Sequence, residues 1–368
     1  MEKEHLFESV PNFSEGRRHE VVEAIASAAG KAYVIDTDAD PDHNRAVISI
    51  AGFRPKLVDA VLATVGEAVE RIDLRAHSGA HPRVGAADVV PIVPLGRTPL
   101  DACRDMAHDL AERIWVDLKV PVFFYGYGEN RALADIRAGR AAPDIGGPTL
   151  HPTAGAVCVG ARPVLVAFNV MLFDTDLVTA RALARSLRES SKGMRGVQAL
   201  IFTLPGNRVQ LSMNLFRIDE TTPADVIAEL RQLGAAMGAE QVVGLCPARA
   251  ANGAAAGRLL EARLAAAAAR EGAARCEQRG GEELTALGRR LLREAVELAA
   301  LGVDQDTLLA GAERAAALIG VLRAAKVLDT ELETMLAAAS HGLRAAISGG
   351  TEALYPARVA ALDARIAW

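Results

Sequence analysis

Aromatic residues make up only 4 % of this 368-residue chain, and lysine occurs six times among its 41 basic residues. With a net charge of −5, the chain lacks the basic patches and stacking rings that nucleic-acid binding requires, so that partner class is excluded. The four cysteines, Cys103, Cys158, Cys246 and Cys276, share no metal-ligand or redox spacing. Free thiols in a reducing compartment are expected, and no metal. No apolar run reaches the ~18 to 20 residues that cross a bilayer. The start, Met1-Glu-Lys-Glu-His5, is charged and leads straight into a strand-like run, without the pattern of a secretory signal. A soluble, cytoplasmic protein with no membrane partner is the expectation. Arginine supplies nearly all of the basic charge and alanine runs are frequent. An isolated arginine is therefore a weak pointer to an anion site here.

What is present is apolar content of 51 % with 24 % charged residues, which excludes general disorder. The length suits two or three domains. Strand-like runs at Leu6–Val10, Ala32–Ile35, Ala46–Ile50 and Val89–Val93 alternate with helical stripes through Val21, Val22 and Ile25 and through Leu57, Val58, Val61, Leu62 and Val65. Ser14 is a natural cap for the first helix. A helix from Leu100 to Leu118, a strand Val120–Tyr125 and a short helix capped by Asn130 extend this βαββαβ series. After a Gly/Pro-rich loop a second series follows: Val164–Val170, Leu177–Leu187, Ala199–Thr203, Val209–Leu215, Ala224–Leu233 and Val242–Leu245. The reading is α+β: two ferredoxin-like α/β subdomains, residues 1–160 and 161–250, with a ligand cleft between them. An Ala-rich link and an all-helical extension occupy 251–368, with Ala265–Ala269 low in complexity, a stripe at Leu284, Leu287, Leu291 and Leu298, and caps at Asp304 and Asp329.

Four stretches carry candidate chemistry. Pro11-Asn12-Phe13-Ser14-Glu15-Gly16-Arg17 sits at a strand-to-helix turn, where an anion could bind if Ser14 does more than cap. Asp36-Thr-Asp38-Ala-Asp40-Pro-Asp42-His43-Asn44-Arg45 resembles a calcium loop only superficially, because Pro41 and Val47 fall where that loop needs Gly and Glu. A polar strand-end loop for a cationic substrate and a solvated turn are the remaining readings. Gly79 and Pro82 make His77-Ser-Gly-Ala-His81-Pro82-Arg83 a loop, and no third ligand is near in sequence, which disfavours zinc at its histidine pair. A loop histidine before a buried strand suits proton transfer, and Arg83 and Asp88 are near enough in sequence to orient it. Gly146 to Gly155 lacks the spacing and lysine of a phosphate loop; a ligand-binding loop and an inter-lobe linker are equally credible. Asn169 and Asn214 each lie in an apolar run, where an amide needs a partner.

Val10-Pro-Asn-Phe-Ser-Glu-Gly16, Asp40-Pro-Asp-His-Asn-Arg45, His81-Pro-Arg-Val-Gly85, Ile136-Arg-Ala-Gly139, Gly160-Ala-Arg162, Ala167-Phe-Asn169 and Val209-Gln-Leu-Ser-Met-Asn-Leu215 occur in this order. Together they resemble the glutamate formimidoyltransferase family over about residues 5–247. The resemblance implies two ferredoxin-like subdomains around a folate groove, and transfer of the formimidoyl group from N-formimidoyl-L-glutamate to N5 of tetrahydrofolate, in histidine degradation. It puts the catalytic histidine at His81. The folate-binding segment falls on Gly146, Gly147, Pro148, Thr149, Leu150, His151, Pro152, Thr153, Ala154 and Gly155. Asn12, Ser14, Asp38, Asn44, Arg45, Arg83, Asn169 and Asn214 are expected to bind substrate, Asp38 at the amidinium and Arg45 or Arg83 at carboxylates. Tetrahydrofolate enters as co-substrate, and a homodimer is expected. After Gly-Leu-Cys246-Pro247 the chain departs from the family, and no motif opening a cyclodeaminase follows. Alternatives are another one-carbon donor such as 5-formyltetrahydrofolate, another amidine substrate, or a folate-binding protein without turnover.

Overall fold

The computed structural model describes residues 5–264, apart from 31–32, 97, 130, 256–257 and 261–262, together with 333, 334, 337 and 341. The helical stripe, the caps at Asp304 and Asp329, Ala265–Ala269, Asn130 and Cys276 lie outside the described residues. The chain divides into two units, Met1–Leu245 and Cys246–Trp368.

The first unit opens with β1 (Leu6–Ser9) and β2 (Asn12–Phe13), then α1 (His19–Ala28), β3 (Tyr33–Asp40), β4 (Arg45–Phe53) and α2 (Arg54–Arg71). It continues with β5 (Ala87–Pro94), α3 (Leu100–Arg113), β6 (Val122–Gly126), α4 (Leu133–Arg137) and β7 (Val157–Ala161). The two stripes read from the sequence are the buried faces of α1 and α2. Pro55 opens α2, where its fixed φ fits and its missing N–H costs nothing. A π turn, Ile114–Leu118, continues α3 to the expected end at Leu118.

β1 and β2 share one lane of the sheet, each pairing with β4 on one side and β5 on the other. β3 lies outside β4, and β7 then β6 run parallel beyond β5. Ile48 and Ile50 of β4 and Val90 and Ile92 of β5 join α2 and α3 in the core of this half. By strand alternation, Arg45, Val47 and Ser49 face the other way. Register places Asp36, Asp38 and Asp40 of β3 beside Ser49, Val47 and Arg45. This corrects the reading of those carboxylates as a strand-end loop: they are the alternate residues of one long strand, on the face turned from the helices.

The second series is β8 (Val166–Leu172), α5 (Leu177–Leu187), β9 (Val197–Leu204), β10 (Arg208–Leu215), α6 (Pro223–Gln232) and β11 (Met237–Val243). It makes an antiparallel sheet in the order β11-β8-β10-β9, the expected βαββαβ arrangement. Asp176 caps α5 by accepting from the Val178 and Thr179 N–H groups. Thr222 and Asp225 form a reciprocal capping box at α6. The first sheet repeats this strand order in β3, β4, β1/β2 and β5, and adds β7 and β6. The expected boundary after residue 160 falls inside β7, a fully buried parallel strand of small residues.

In the second unit, Cys246 and Leu259 form a parallel bridge, and single 3-10 turns occupy Ala248–Ala250 and Gly253–Ala255. The first part of the Ala-rich segment is thus turned back on itself, with Ala250 and Ala255 buried. Cys103, Cys158 and Cys246 are buried and in no disulfide among the described residues. Among the described residues, no helix is long and apolar enough to cross a membrane.

Candidate functional site

Asp88, at the start of β5, is fully buried. Its Oδ2 accepts from Arg45 Nη1 at 2.8 Å and from Arg137 Nη2 at 2.7 Å, and its Oδ1 accepts from the Val84 N–H at 2.6 Å. Burial alone would raise this carboxyl; Arg45, Arg137 and the Val84 N–H hold it below the usual carboxylate range. One carboxylate thus serves two guanidinium groups, and the cluster carries surplus positive charge. Arg137 comes from α4, whose Ile136 packs among Val89, Phe123, Tyr125 and Cys158 on the face turned from α1–α3.

Arg45 spans the site. Its Nε donates to Asn12 Oδ1 at 3.0 Å, and Nη1 lies 3.2 Å from His81 Nδ1. The same Nδ1 lies 2.7 Å from the Pro82 carbonyl. A proton on Nδ1 would be donated to Pro82, whereas an unprotonated Nδ1 accepts from Arg45, so both neutral tautomers are accommodated. Nε2 of His81 makes no hydrogen bond to a described residue. Burial, then Arg45 and Arg137, push the imidazole down from 6.5 to about 3. At neutral pH the ring is therefore an uncharged acceptor.

The loop bearing His81 is held from several sides. Arg83 Nη2 donates to the carbonyls of Gly79 at 2.7 Å and His81 at 2.8 Å. Asn44, at φ 47°, accepts from the Gly16 N–H through Oδ1 and donates to the Ser78 carbonyl through Nδ2, both at 2.9 Å. Asn44 therefore ties the loop after β2, the β3–β4 turn and the histidine loop together. Gly155, at φ +71°, bridges Gly85; a Cβ on it would lie 2.2 Å from the Val84 carbonyl oxygen. The Gly/Pro segment thereby docks against the same loop, closed by mutual His151–Gly155 backbone bonds at 2.8 and 3.0 Å.

β9 and β10 complete the surroundings. The Phe202 ring stacks on His81 at 5.7 Å and meets His43 edge-on at 4.9 Å. His43 Nε2 lies 2.8 Å from Gln210 Oε1. Asp38 Oδ2 accepts from the Gly244 N–H at 3.0 Å, and Arg208 pairs with Asp42. The turn-side faces of the two sheets thus meet around His81.

The structure brings together Asn12, Asn44, Arg45, His81 and Arg83. Ser14 lies nearby but does not cap α1, whose first residue follows Arg18. Its hydroxyl donates to the Gly85 carbonyl at 2.7 Å, and Glu15 instead accepts from the Arg17 and Arg18 N–H groups. Asn169 is buried and donates to Gln241 Oε1 at 3.3 Å, whereas Asn214 is exposed. Within the Gly/Pro segment, Gly147, Pro148, Thr149, Leu150 and Pro152 are exposed, Gly146, His151 and Thr153 are half-buried, and Ala154 and Gly155 are buried. Arg137, Phe202 and Gln210 belong to the cluster without having been singled out. Alternation along Arg208-Val-Gln-Leu-Ser-Met-Asn214 carried a signal for Gln210; for Arg137 the signal was its place in the motif Ile136-Arg-Ala-Gly139. No group of three or more His, Cys, Asp or Glu suited to a metal occurs among the described residues.

Residues 6–162 match the formiminotransferase domain, N-terminal subdomain. The chain is 37 % identical over 272 residues to a glutamate formimidoyltransferase of Thermoplasma acidophilum, covering 67 % of this chain and 89 % of that protein. A glutamate formimidoyltransferase of Streptococcus pyogenes is 33 % identical over 269 residues, with 67 % and 90 % covered. The formimidoyltransferase-cyclodeaminase of Rattus norvegicus is 34 % identical over 275 residues, which cover 67 % of this chain and 51 % of the rat protein.

Proposed function

The chain belongs to the glutamate formimidoyltransferase family, and from that membership and the geometry around His81 we propose that it transfers the formimidoyl group of N-formimidoyl-L-glutamate to N5 of tetrahydrofolate. The observation that carries this reading is an imidazole whose Nδ1 faces the Pro82 carbonyl at 2.7 Å and Arg45 Nη1 at 3.2 Å, while Nε2 makes no hydrogen bond to a described residue.

The transfer exchanges one C–N bond for another. A bond forms between the formimidoyl carbon and N5, the bond to the glutamate nitrogen breaks, and one proton passes from the first nitrogen to the second. His81 is suited to carry that proton. With its own proton on Nδ1 and donated to Pro82, Nε2 takes the proton from the attacking nitrogen and returns it to the departing one. The cationic surroundings make the resulting imidazolium a strong acid, so the second step is favoured. Phe202 supports one ring face, and the Arg83 clamp on Gly79 and His81 holds the loop in place.

The remaining site residues take narrower roles. Asp38, on β3, presents a carboxylate to the amidinium, and Asn12, Ser14 and Asn44 fix the loops around it. Arg45 is engaged by Asp88, Asn12 and His81, and Arg83 by its own loop, so both act chiefly by positioning. Residues 146–155 form the folate-contacting segment, through the exposed stretch Gly147–Leu150 in particular. Asn169 and Asn214 lie on the second sheet's side of the groove.

The test is direct. Purified protein with N-formimidoyl-L-glutamate and tetrahydrofolate should yield 5-formimidoyltetrahydrofolate, followed spectrally and by mass spectrometry. His81→Ala should lower turnover by roughly 10²- to 10⁴-fold with tetrahydrofolate affinity little changed. Wild-type turnover only with 5-formyltetrahydrofolate as one-carbon donor would replace the donor; unchanged turnover in His81→Ala would remove the imidazole from the mechanism.

A further inference from the structure

Among the guanidinium groups around His81, Arg137 alone has a buried N–H group with no partner among the described residues. Arg45 uses Nε for Asn12 and Nη1 for Asp88, and Arg83 uses Nε and Nη2 on the carbonyls of its own loop. Arg208 is paired with Asp42, and Arg17 Nε donates to the Pro41 carbonyl. Arg137 donates only through Nη2, to Asp88. Its Nε is buried without a hydrogen-bond partner, and its Nη1 has none among the described residues. A buried donor left unmade costs about 1–3 kcal/mol, more when charged, so this arrangement calls for an acceptor.

The charge balance points the same way. Arg45 and Arg137 converge on a single oxygen of a single carboxylate, with Asp88 Oδ2 2.8 and 2.7 Å from their nitrogens. Asp88 is fully buried, and its other oxygen, Oδ1, accepts from Val84. His81, 3.2 Å from Arg45, adds no negative charge. A desolvated pair of cations facing one anion is stabilised by a second anion, and the free Nη1 amino group of a guanidinium donates well to a carboxylate. The Arg137 side chain keeps 18 % of its surface exposed, so it is reachable.

We propose that Arg137 binds a carboxylate of the glutamate-bearing donor through its Nη1 amino group and so selects that donor. This rests on the formimidoyl-transfer reading and goes beyond it, because it assigns donor recognition to α4. Binding there also completes the charge set around His81 only when the carboxylated substrate is present.

Steady-state kinetics of the full-length chain test it. Arg137→Gln keeps a polar side chain, and Asp88 keeps Arg45 and Val84. The variant should raise the KM for N-formimidoyl-L-glutamate, and the inhibition constant of glutarate, by about 10- to 100-fold. Its KM for tetrahydrofolate should stay within about threefold of wild type. Arg137→Lys, which restores the charge without the planar fork, should lie between the two. Loss of kcat at unchanged donor KM and glutarate affinity, or loss of tetrahydrofolate binding in both variants, would assign Arg137 a structural role and overturn the proposal. A wild-type chain that is inhibited by glutarate yet inactive with this donor would instead sink the transfer reading.

Discussion

On the first sheet, the face turned from α2 and α3 carries Asp36, Asp38, Asp40 and Arg45 and borders the buried Asp88–Arg137 pair. On the second, the face turned from α5 carries Gln210, Ser212, Asn214, Asn169 and Gln241, neutral groups over most of its length, with Arg208 at one end. The two sheets share a strand order, so the difference lies in side chains and in the additions to the first: β6, β7 and α4. These additions bring Arg137 over Asp88 and seal the cluster. Desolvated charge is costly to fold around but exerts strong fields on a neighbouring imidazole. Neutral amides and a phenyl ring shape a wall at small cost. In the proposed mechanism the first sheet is therefore the reactive half and the second the supporting half.

The largest effect should come from breaking the charge cluster. Asp88→Asn keeps the shape and the acceptor for Val84 but leaves two guanidinium groups facing no anion. Removing one partner of a buried ion pair typically costs about 3–5 kcal/mol, so the urea midpoint of the variant should fall accordingly and turnover should vanish. A loss below about 1 kcal/mol would show that water already solvates the cluster, and the contrast between the sheets would collapse.

A smaller effect should appear with pH. The unfolded imidazole of His81 binds a proton near 6.5, while the folded one resists until about 3. Within that window the unfolded state holds more protons, so the stability associated with the neutral ring is fully present above pH 6.5 and declines as pH falls. Asp88 and Glu15, held low by their partners, add to the decline only below their ordinary values of 3.8 and 4.5. Urea unfolding between pH 6.5 and 4.5 should therefore show a slope that flattens in His81→Gln. Equal slopes would mean that neither burial nor Arg45 and Arg137 hold down the proton affinity of the ring.

Legibility in the sequence divides along the same line. The second sheet was readable because its strands alternate and its helices carry ordinary caps, Asp176 and Thr222. In the first sheet, β7 reads Val-Cys-Val-Gly-Ala with no alternation, since a parallel interior strand is buried on both faces. β2 is two residues long, and no periodicity marks so short an element. The run Asp36-Thr-Asp38-Ala-Asp40 alternates like a strand, but its charge suggested a loop. His81 and Arg45 were legible from motifs. Their junction with Asp88 and Arg137 was not, because it depends on α4 crossing the sheet some fifty residues later in the chain, which short-range spacing does not encode.

The finest test uses the two asparagines of the supporting half. Both occupy apolar runs, and the sequence alone gives no reason to separate them. Register does so: Asn169 lies on β8 between β10 and β11, opposite Ser212 and Gln241, whereas Asn214 lies near the end of β10 opposite Ala167 and Gln198. Asn169 is buried and bonded to Gln241, and its replacement by Ala should cost about 1 kcal/mol, the net worth of one hydrogen bond. Asn214 is exposed, so Asn214→Ala should change stability by less than about 0.5 kcal/mol. Neither bears a charge that acts on His81, so both should leave the pH dependence of turnover as it is. A shift in that dependence from either variant would mean that the second sheet also sets the field at the imidazole, and the division between a reactive and a supporting half would have to be redrawn.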